Sequence, residues 1–543
     1  MLDTLLHNAT LITMNHDGDI VENASIGIQG CRIVSVDKKA AETPLPDARK
    51  TIDVGGDIVM PGLINTHTHL PMSLFRGLAD DLPLMTWLNA HIFPAEAQFI
   101  TPETVYLGAL LSCAELLLSG TTTCCDGYFY ERHVAEAVHH AGMRAVLGQG
   151  VIDYPAPGVP DPSRNISEAA AFMEAWQEKT PLIQPSVFCH SPYTCSPQTL
   201  RAAKALTRSS GALFQIHVAE TRSEYDQMRS LHGMTPVAYL NSLELLDSRT
   251  LLIHAIWLDD ADIAIIARTG AAVSHAPESA MKLASGVAKI EAILQAGIAA
   301  GLGTDGCASN NNQDMFQEMD MAAKLGKVFS LNPQATSART VLKMATIGAA
   351  KATGLDCWIG SIEPGKLADI VVLDTHAPHL TPLYHPESQI VYAANGSDVR
   401  DVMIHGNWVV KNRSLVSLNL ADILDRIKVE SQKIQISDGL VKSSQARRAN
   451  PQGVRRTFGC AATTKDAAQR SIRTFYEAVK IDSEARVTYD HIFAHRPYDR
   501  AYAAGAVEPD QSGDSCRDHC KTGVFQSPRQ CQGPGGGTDA GCC

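Results

Sequence analysis

A chain of 543 residues, 45% of them hydrophobic, holds enough apolar mass for a (β/α) barrel of about 250 residues and a smaller second domain. Its formal net charge of −12 argues against nucleic acid as a partner, since phosphate contacts take clustered Lys and Arg, and it favours a small molecule. The opening Met1-Leu-Asp-Thr-Leu-Leu-His-Asn8 lacks a basic start and a long apolar run, and no window approaches the ~18 uninterrupted apolar residues of a membrane span. The expectation is a cytoplasmic protein with no membrane partner. Of the 14 cysteines, eight lie before residue 440 at irregular positions such as Cys31, Cys113, Cys189 and Cys357. That pattern suits reduced, mostly buried thiols and implies no disulfide framework.

Residues 1–58 alternate as short strands do, around 9–14, 24–28 and 32–36, with turn-formers Asp17-Gly18 and Gln29-Gly30 between them. From residue 59 onward short apolar strands alternate with longer helical patterns, which predicts βαβ units and a parallel sheet. The strands fall at 58–64, 121–125, 145–152, 186–189, 212–218, 250–255, 271–274 and 298–303, with helices such as 104–119 and 312–329 between or after them. Eight is the number that closes a barrel. Strand-like segments resume at 369–373, 390–392, 402–405 and 408–410. The predicted fold is therefore α/β: a (β/α)8 TIM-type barrel over 59–365, inserted into a small β-sandwich domain whose halves are 1–58 and 366–435. Over 436–543 Gly, Gln, Ser and Arg rise and six cysteines appear, so this tail is expected to be atypical and without a packed fold. Cys516-Arg-Asp-His-Cys520 within it is half of a zinc site with no well-spaced second pair.

The chemistry concentrates at strand ends. In Val59-Met-Pro-Gly-Leu-Ile-Asn-Thr-His-Thr-His-Leu70, His67 and His69 are one residue apart, so on a strand both rings point to one side and reach one metal ion. Two histidines satisfied by hydrogen bonds would read the same in isolation. His217 closes the fifth strand, His254 the sixth, and Asp305 follows the eighth, where barrel active sites are assembled. Three imidazoles and a carboxylate suit Zn2+, with Fe2+ as the alternative, and leave a position for a water whose pKa the ion lowers towards 7. Glu220, three residues after His217, is placed to act as a general acid/base, or else to cap the helix that follows.

At this point the chain resembles the amidohydrolase superfamily, specifically the 5-methylthioadenosine/S-adenosylhomocysteine deaminases. The resemblance is carried by residues 61–81, His217-Val-Ala-Glu-Thr221, Met281-Lys-Leu-Ala-Ser-Gly286, 303–312 and Gly360-Ser-Ile-Glu-Pro-Gly-Lys-Leu-Ala-Asp369, and runs from residue 1 to about 435. It implies that His67, His69, His217 and Asp305 bind the metal and that His254 orients the attacking hydroxide. Binuclear relatives carry a bridging carboxylated Lys at the end of the fourth strand; Cys189-His190 stands there in this chain, which implies a single ion. The implied reaction is hydrolytic attack at C6 of an adenine ring, with Glu220 passing a proton to N1 and Asp305 relaying one to the departing ammonia. An inosine-type product remains.

The resemblance further suggests Glu96 as the ligand of the ribose hydroxyls, since a carboxylate accepts from both members of a vicinal diol, and His190 as a substrate contact. By themselves they read as a surface helix residue and a turn histidine. Trp87 is either a cover over the substrate or core, and Arg164 either a partner for a substrate carboxylate or a solvated loop residue. One departure stands out: after His275 the family usually reads Ser-Asn-Met-Lys, and Ala280 here replaces the Asn. The expected partner is a small nucleoside and the expected assembly a homo-oligomer. Another mononuclear amidohydrolase, acting on guanine, a pterin or an s-triazine, and a catalytically silent assembly protein are the alternatives.

Overall fold

The computed structural model describes residues 1–38 and 44–448. Five strands open the chain: β1 (Leu2–Ile12), β2 (Ile20–Gln29), β3 (Arg32–Lys38), β4 (Ala48–Asp53) and β5 (Ile58–Pro61). Eight more follow: β6 (Leu63–Thr68), β7 (Thr121–Tyr128), β8 (Arg144–Val151), β9 (Ile183–Cys189), β10 (Phe214–Val218), β11 (Thr250–His254), β12 (Ala272–His275) and β13 (Ala300–Leu302). The last four are β14 (Ile370–Leu373), β15 (Val399–Ile404), β16 (Asn407–Lys411) and β17 (Ser414–Leu415).

Strands β6 to β13 hydrogen-bond in sequence order as one eight-stranded parallel sheet, separated by helices as the alternating pattern predicted. Every residue of β7 and β8 is buried, as in a sheet covered by helices on one face and by its own curvature on the other. The barrel closes between β6 and β13 through a few bonds: Asp305 N–H donates to the His67 carbonyl at 2.9 Å, and Thr66 Oγ1 donates to the Leu302 carbonyl at 2.9 Å. Asn65 stands in for a ladder residue, donating from Nδ2 to Thr304 Oγ1 at 2.8 Å and accepting Thr304 N–H at 3.1 Å.

The nine remaining strands form one mixed sheet, ordered β17-β16-β15-β14-β5-β1-β2-β3 with β4 on β1, so both ends of the described chain contribute to it. It has its own core, including Leu6, Ile26, Val59, Ile370 and Met403. The 58–64 run, expected as one strand, is two. Gly62 N–H bonds to Asp369 in the mixed sheet, whereas Leu63 N–H bonds to the carbonyl of Gly120 on the barrel side. A Cβ on residue 62 would lie 2.1 Å from Thr122 Oγ1, so only glycine lets the backbone pass between the sheets. The segment 390–392, also expected as a strand, ends the helix Pro386–Tyr392. A three-residue apolar run does not distinguish the two periods, and Pro386 in the first turn favours the helix.

The two sheets are joined by Arg144, at the start of β8, which donates to both carboxylate oxygens of Asp369 at 2.7 and 3.1 Å; both residues are buried. Asp369 also accepts the His405 N–H at 2.8 Å. The helix Leu420–Arg448 crosses residue 436; the rest of the tail, including Cys516 and Cys520, lies outside the described residues.

Candidate active site

The ends of β6, β10 and β11 and the turn after β13 bring His67, His69, His217, His254 and Asp305 together. The ligand atoms of His67, His217 and His254 lie within 4.8 Å of one another, as do those of His67, His69 and Asp305. His67 Nε2 and His69 Nε2 are 3.3 and 3.5 Å from Asp305 Oδ1. The backbone is bent to do this: Ala219, His254, Ala255 and Asp305 all have positive φ, from 48° to 71°, a conformation that disfavours residues with a Cβ by about 1–2 kcal/mol each.

Whether these residues fit a metal is decided by where their protons go. His69 Nδ1 donates to the Gly127 carbonyl at 2.7 Å and His217 Nδ1 to the His190 carbonyl at 2.8 Å, which leaves Nε2 of each ring as the nitrogen free to ligate an ion. Burial, with Asp305 opposing it, lowers His67 to about 3; burial and the neighbouring rings take His217 well below the ordinary range. His67 Nε2 and His217 Nε2 nevertheless face each other at 3.3 Å. Asp305, which burial alone would raise, is held well below the usual carboxylate range by its hydrogen bond to His67 and the surrounding rings. An ionised carboxylate and converging imidazole lone pairs, all buried, are a donor set that a divalent cation satisfies and water does poorly.

Asp305 Oδ2 accepts from Ser279 Oγ at 2.7 Å and Oδ1 from the Gly306 N–H at 2.7 Å. Glu220 Oε2 lies 3.9 Å from His254 Nε2; burial, with the charge of Asp305 adding to it, pushes Glu220 up to about 8. It does not cap the next helix: Thr221 does, accepting the Glu224 N–H at 3.1 Å. Glu224 accepts the Ala219 and Glu220 N–H groups at 2.8 and 2.9 Å and so shapes the turn that carries Glu220.

His69, His217, Glu220, Glu224, His254 and Asp305 line one cavity of about 460 Å³ with Glu96, His190, Trp87 and Tyr128, a volume ordinary for a small-molecule site. Glu96 is buried; Tyr128 Oη donates to its Oε1 at 2.5 Å. Burial, partly offset by that hydrogen bond, raises Glu96 to about 7. His190 Nδ1 is 2.9 Å from Thr194 Oγ1. Trp87 is both core and wall, being 5% exposed. Arg164 lies outside: it is exposed and pairs with Glu168 one helical turn on, as a solvated loop arginine would.

Four supporting residues escaped the sequence reading. Asp126 accepts from Thr68 Oγ1 at 2.7 Å and from Leu70 N–H at 2.6 Å, pinning the chain on both sides of His69. Its place near a barrel strand's end was the available signal. Phe188 stacks on the His67 ring with centroids 6.0 Å apart and 9° between planes, while His67 Nδ1 has no hydrogen-bond partner among the described residues. Ser279 and Tyr128 are the others, and nothing local marks them. Ala280 packs with Ile256 and Ala288 in a small apolar cluster, a setting in which a methyl fits. Lys282 of the same motif bonds Asp80 at 2.7 Å and also reaches Asn311, tying together the loops after β6, β12 and β13.

Residues 58–409 match the model of the Amidohydrolase family. The chain is 45% identical over 435 residues to a 5-methylthioadenosine/S-adenosylhomocysteine deaminase of Syntrophobacter fumaroxidans, covering 80% of this chain and 98% of the relative. It is 44% identical over 403 residues to a 5'-deoxyadenosine deaminase of Methanothermobacter thermautotrophicus, covering 74% and 92%. The crystal structure of an adenosine deaminase from Xanthomonas campestris with bound zinc superposes with a TM-score of 0.78 at 35% identity, covering 80% of this chain and 99% of that one. The chain belongs to the amidohydrolase family. Within it, the chain groups with the deaminases just named. Among the described residues no helix is long and apolar enough to cross a membrane.

Proposed function

We propose that this protein hydrolytically deaminates the adenine ring of 5'-methylthioadenosine and/or S-adenosylhomocysteine, leaving the inosine-type product and ammonia. The observation that carries the choice of a nucleoside is Glu96, a buried carboxylate in the same cavity as the histidine cluster, with Tyr128 engaging one of its oxygens. The other oxygen remains to accept from a ribose diol; a free base or a triazine has no group that needs it.

His67, His69, His217 and Asp305 would hold one divalent ion, Zn2+ with Fe2+ as the alternative. When bound, the ion lowers the pKa of water towards neutrality and polarises the reacting oxygen. The chain's own groups do the rest. Glu220, protonated at neutral pH by virtue of its raised pKa, donates to ring N1 and makes C6 electrophilic. His254 orients the attacking oxygen and Asp305 takes its proton. As the C6–O bond becomes a carbonyl and the C6–N bond breaks, Asp305 relays that proton to the amine, which departs as ammonia, and the second proton of the attacking water restores Glu220. His190 contributes to the cavity wall that meets the substrate.

Incubating metal-replete protein with 5'-methylthioadenosine, S-adenosylhomocysteine, adenosine, guanine and an s-triazine, and following ammonia, tests this. Turnover of a 5'-thio nucleoside is the expected result; turnover of guanine or the triazine alone overturns it. A cytoplasmic location is part of the proposal, supported by the eight cysteines of the described residues, all free, as in a reducing compartment. So is a homo-oligomer, supported by exposed Val328, Phe329 and Leu331 at one helix end and tested by sedimentation velocity.

A further inference from the structure

Phe188, near the C-terminal end of β9, is buried, and its ring lies among the rings of the metal-site histidines. It is parallel to His67, with 9° between planes and centroids 6.0 Å apart. It meets His69 and His217 edge to face, at 5.7 Å and 76° and at 4.9 Å and 78°. These are the offset-stacked and T-shaped arrangements that aromatic pairs prefer. Two glycines make the room. Gly127 on β7 and Gly148 on β8 are cross-strand partners; a Cβ on the first would lie 2.0 Å from Phe188 Cδ2, and one on the second 2.8 Å from Phe188 Cβ.

The three histidines are held in different ways. His69 and His217 each have Nδ1 fixed by a backbone carbonyl, those of Gly127 and His190, which sets the ring plane and aims Nε2. His67 Nδ1 has no such partner among the described residues, yet its Nε2 faces Asp305 and His217 at 3.3 Å each. The flat contact against the His67 ring is Phe188.

We infer that Phe188 is a positioning residue for the cation: seated in the slot between Gly127 and Gly148, its ring fixes the plane of His67 where the other two ligands use a hydrogen bond. This rests on the metal-dependent reading of the site and deepens it. A ligand ring free to turn must be ordered when the ion binds, so loss of the phenyl face should weaken binding even in a folded barrel.

The test uses full-length protein stripped by a chelator and reloaded with Zn2+ or Co2+. Zn2+ Kd is measured by chelator competition, the visible absorption of the Co2+ form reports the arrangement of the ligands, and melting of the stripped protein reports stability separately. Phe188→Leu should raise the Zn2+ Kd about 10–100-fold and alter the Co2+ spectrum. Gly127→Ala, which drives a methyl into the ring, should act in the same direction, but in a Phe188→Ala background it should change Kd by no more than about twofold. If Phe188→Ala does not fold, Phe188→Leu decides alone. Lowered melting with Kd and spectrum unchanged makes Phe188 a core filler and overturns the inference. So do equal losses from Gly127→Ala in both backgrounds, which would assign its effect to the carbonyl on His69. If the unaltered protein takes up neither ion, the metal-dependent reading itself falls, and the inference with it.

Discussion

Where the barrel strands begin, Arg144 and Asp369 satisfy each other's donors and acceptors with help from the backbone. Where the strands end, His67 Nε2 and His217 Nε2 face each other at 3.3 Å, His67 Nδ1 goes without a partner among the described residues, and four residues with a Cβ sit at positive φ. Both regions are buried and polar, so burial alone does not tell them apart. The first is complete as it stands and serves stability; the second leaves polar atoms unmatched and backbone strained, which the proposed cation and substrate would use.

Substitutions at the two ends should therefore separate activity from stability. The largest effect is expected at the open end: Glu220→Gln should retain the metal, measured by elemental analysis, and lower kcat by about 10²–10⁴-fold, the range of a general acid/base. Unchanged turnover would remove Glu220 from the mechanism. At the closed end Asp369→Ala leaves the Arg144 guanidinium buried without a carboxylate, with only the Pro181 carbonyl to accept from it. A loss of about 3–5 kcal/mol in denaturant unfolding is expected, with kcat of the folded fraction unaltered. If kcat falls instead, the division between the two ends is wrong.

A smaller effect is predicted for Ser279→Ala, which frees one oxygen of Asp305. Losing a hydrogen bond to a charged acceptor is worth roughly 1.5 kcal/mol, so kcat should fall about tenfold with metal content unchanged. The smallest effect is a pH dependence. Glu96, raised to about 7 by burial with Tyr128 partly opposing, accepts from a diol only when ionised. KM for a ribonucleoside should fall as pH rises from about 6 to about 8, and Glu96→Gln should flatten that trend. A KM that rises over this interval would exclude Glu96 as the diol acceptor.

The spacing of His67 and His69, and the strand-end positions of His217, His254 and Asp305, are legible in sequence because side-chain direction follows from strand period and from barrel geometry alone. Ser279, Phe188 and Tyr128 are not. Each acquires its partner from a different strand or loop, and a hydroxyl or an aromatic ring carries no local mark of what will be packed against it. The same limit explains the 58–64 run: its apolar character was plain, but the switch of hydrogen-bond partners at Gly62 is a property of two sheets meeting. Glu96 needed the resemblance, since a lone acid in Phe93-Pro-Ala-Glu96 has no periodicity that distinguishes inward from outward.

The seam between β6 and β13 has one further consequence. The N–H of Asp305 bonds the carbonyl of His67, and the side chains of those same two residues are proposed to share one ion. A bound ion would then act as a rivet across the junction where the sheet's two edge strands meet. Chelation should loosen this join, so that the demetallated protein melts at lower temperature and exchanges the amide hydrogens of 63–68 and 300–305 faster than the rest of the barrel.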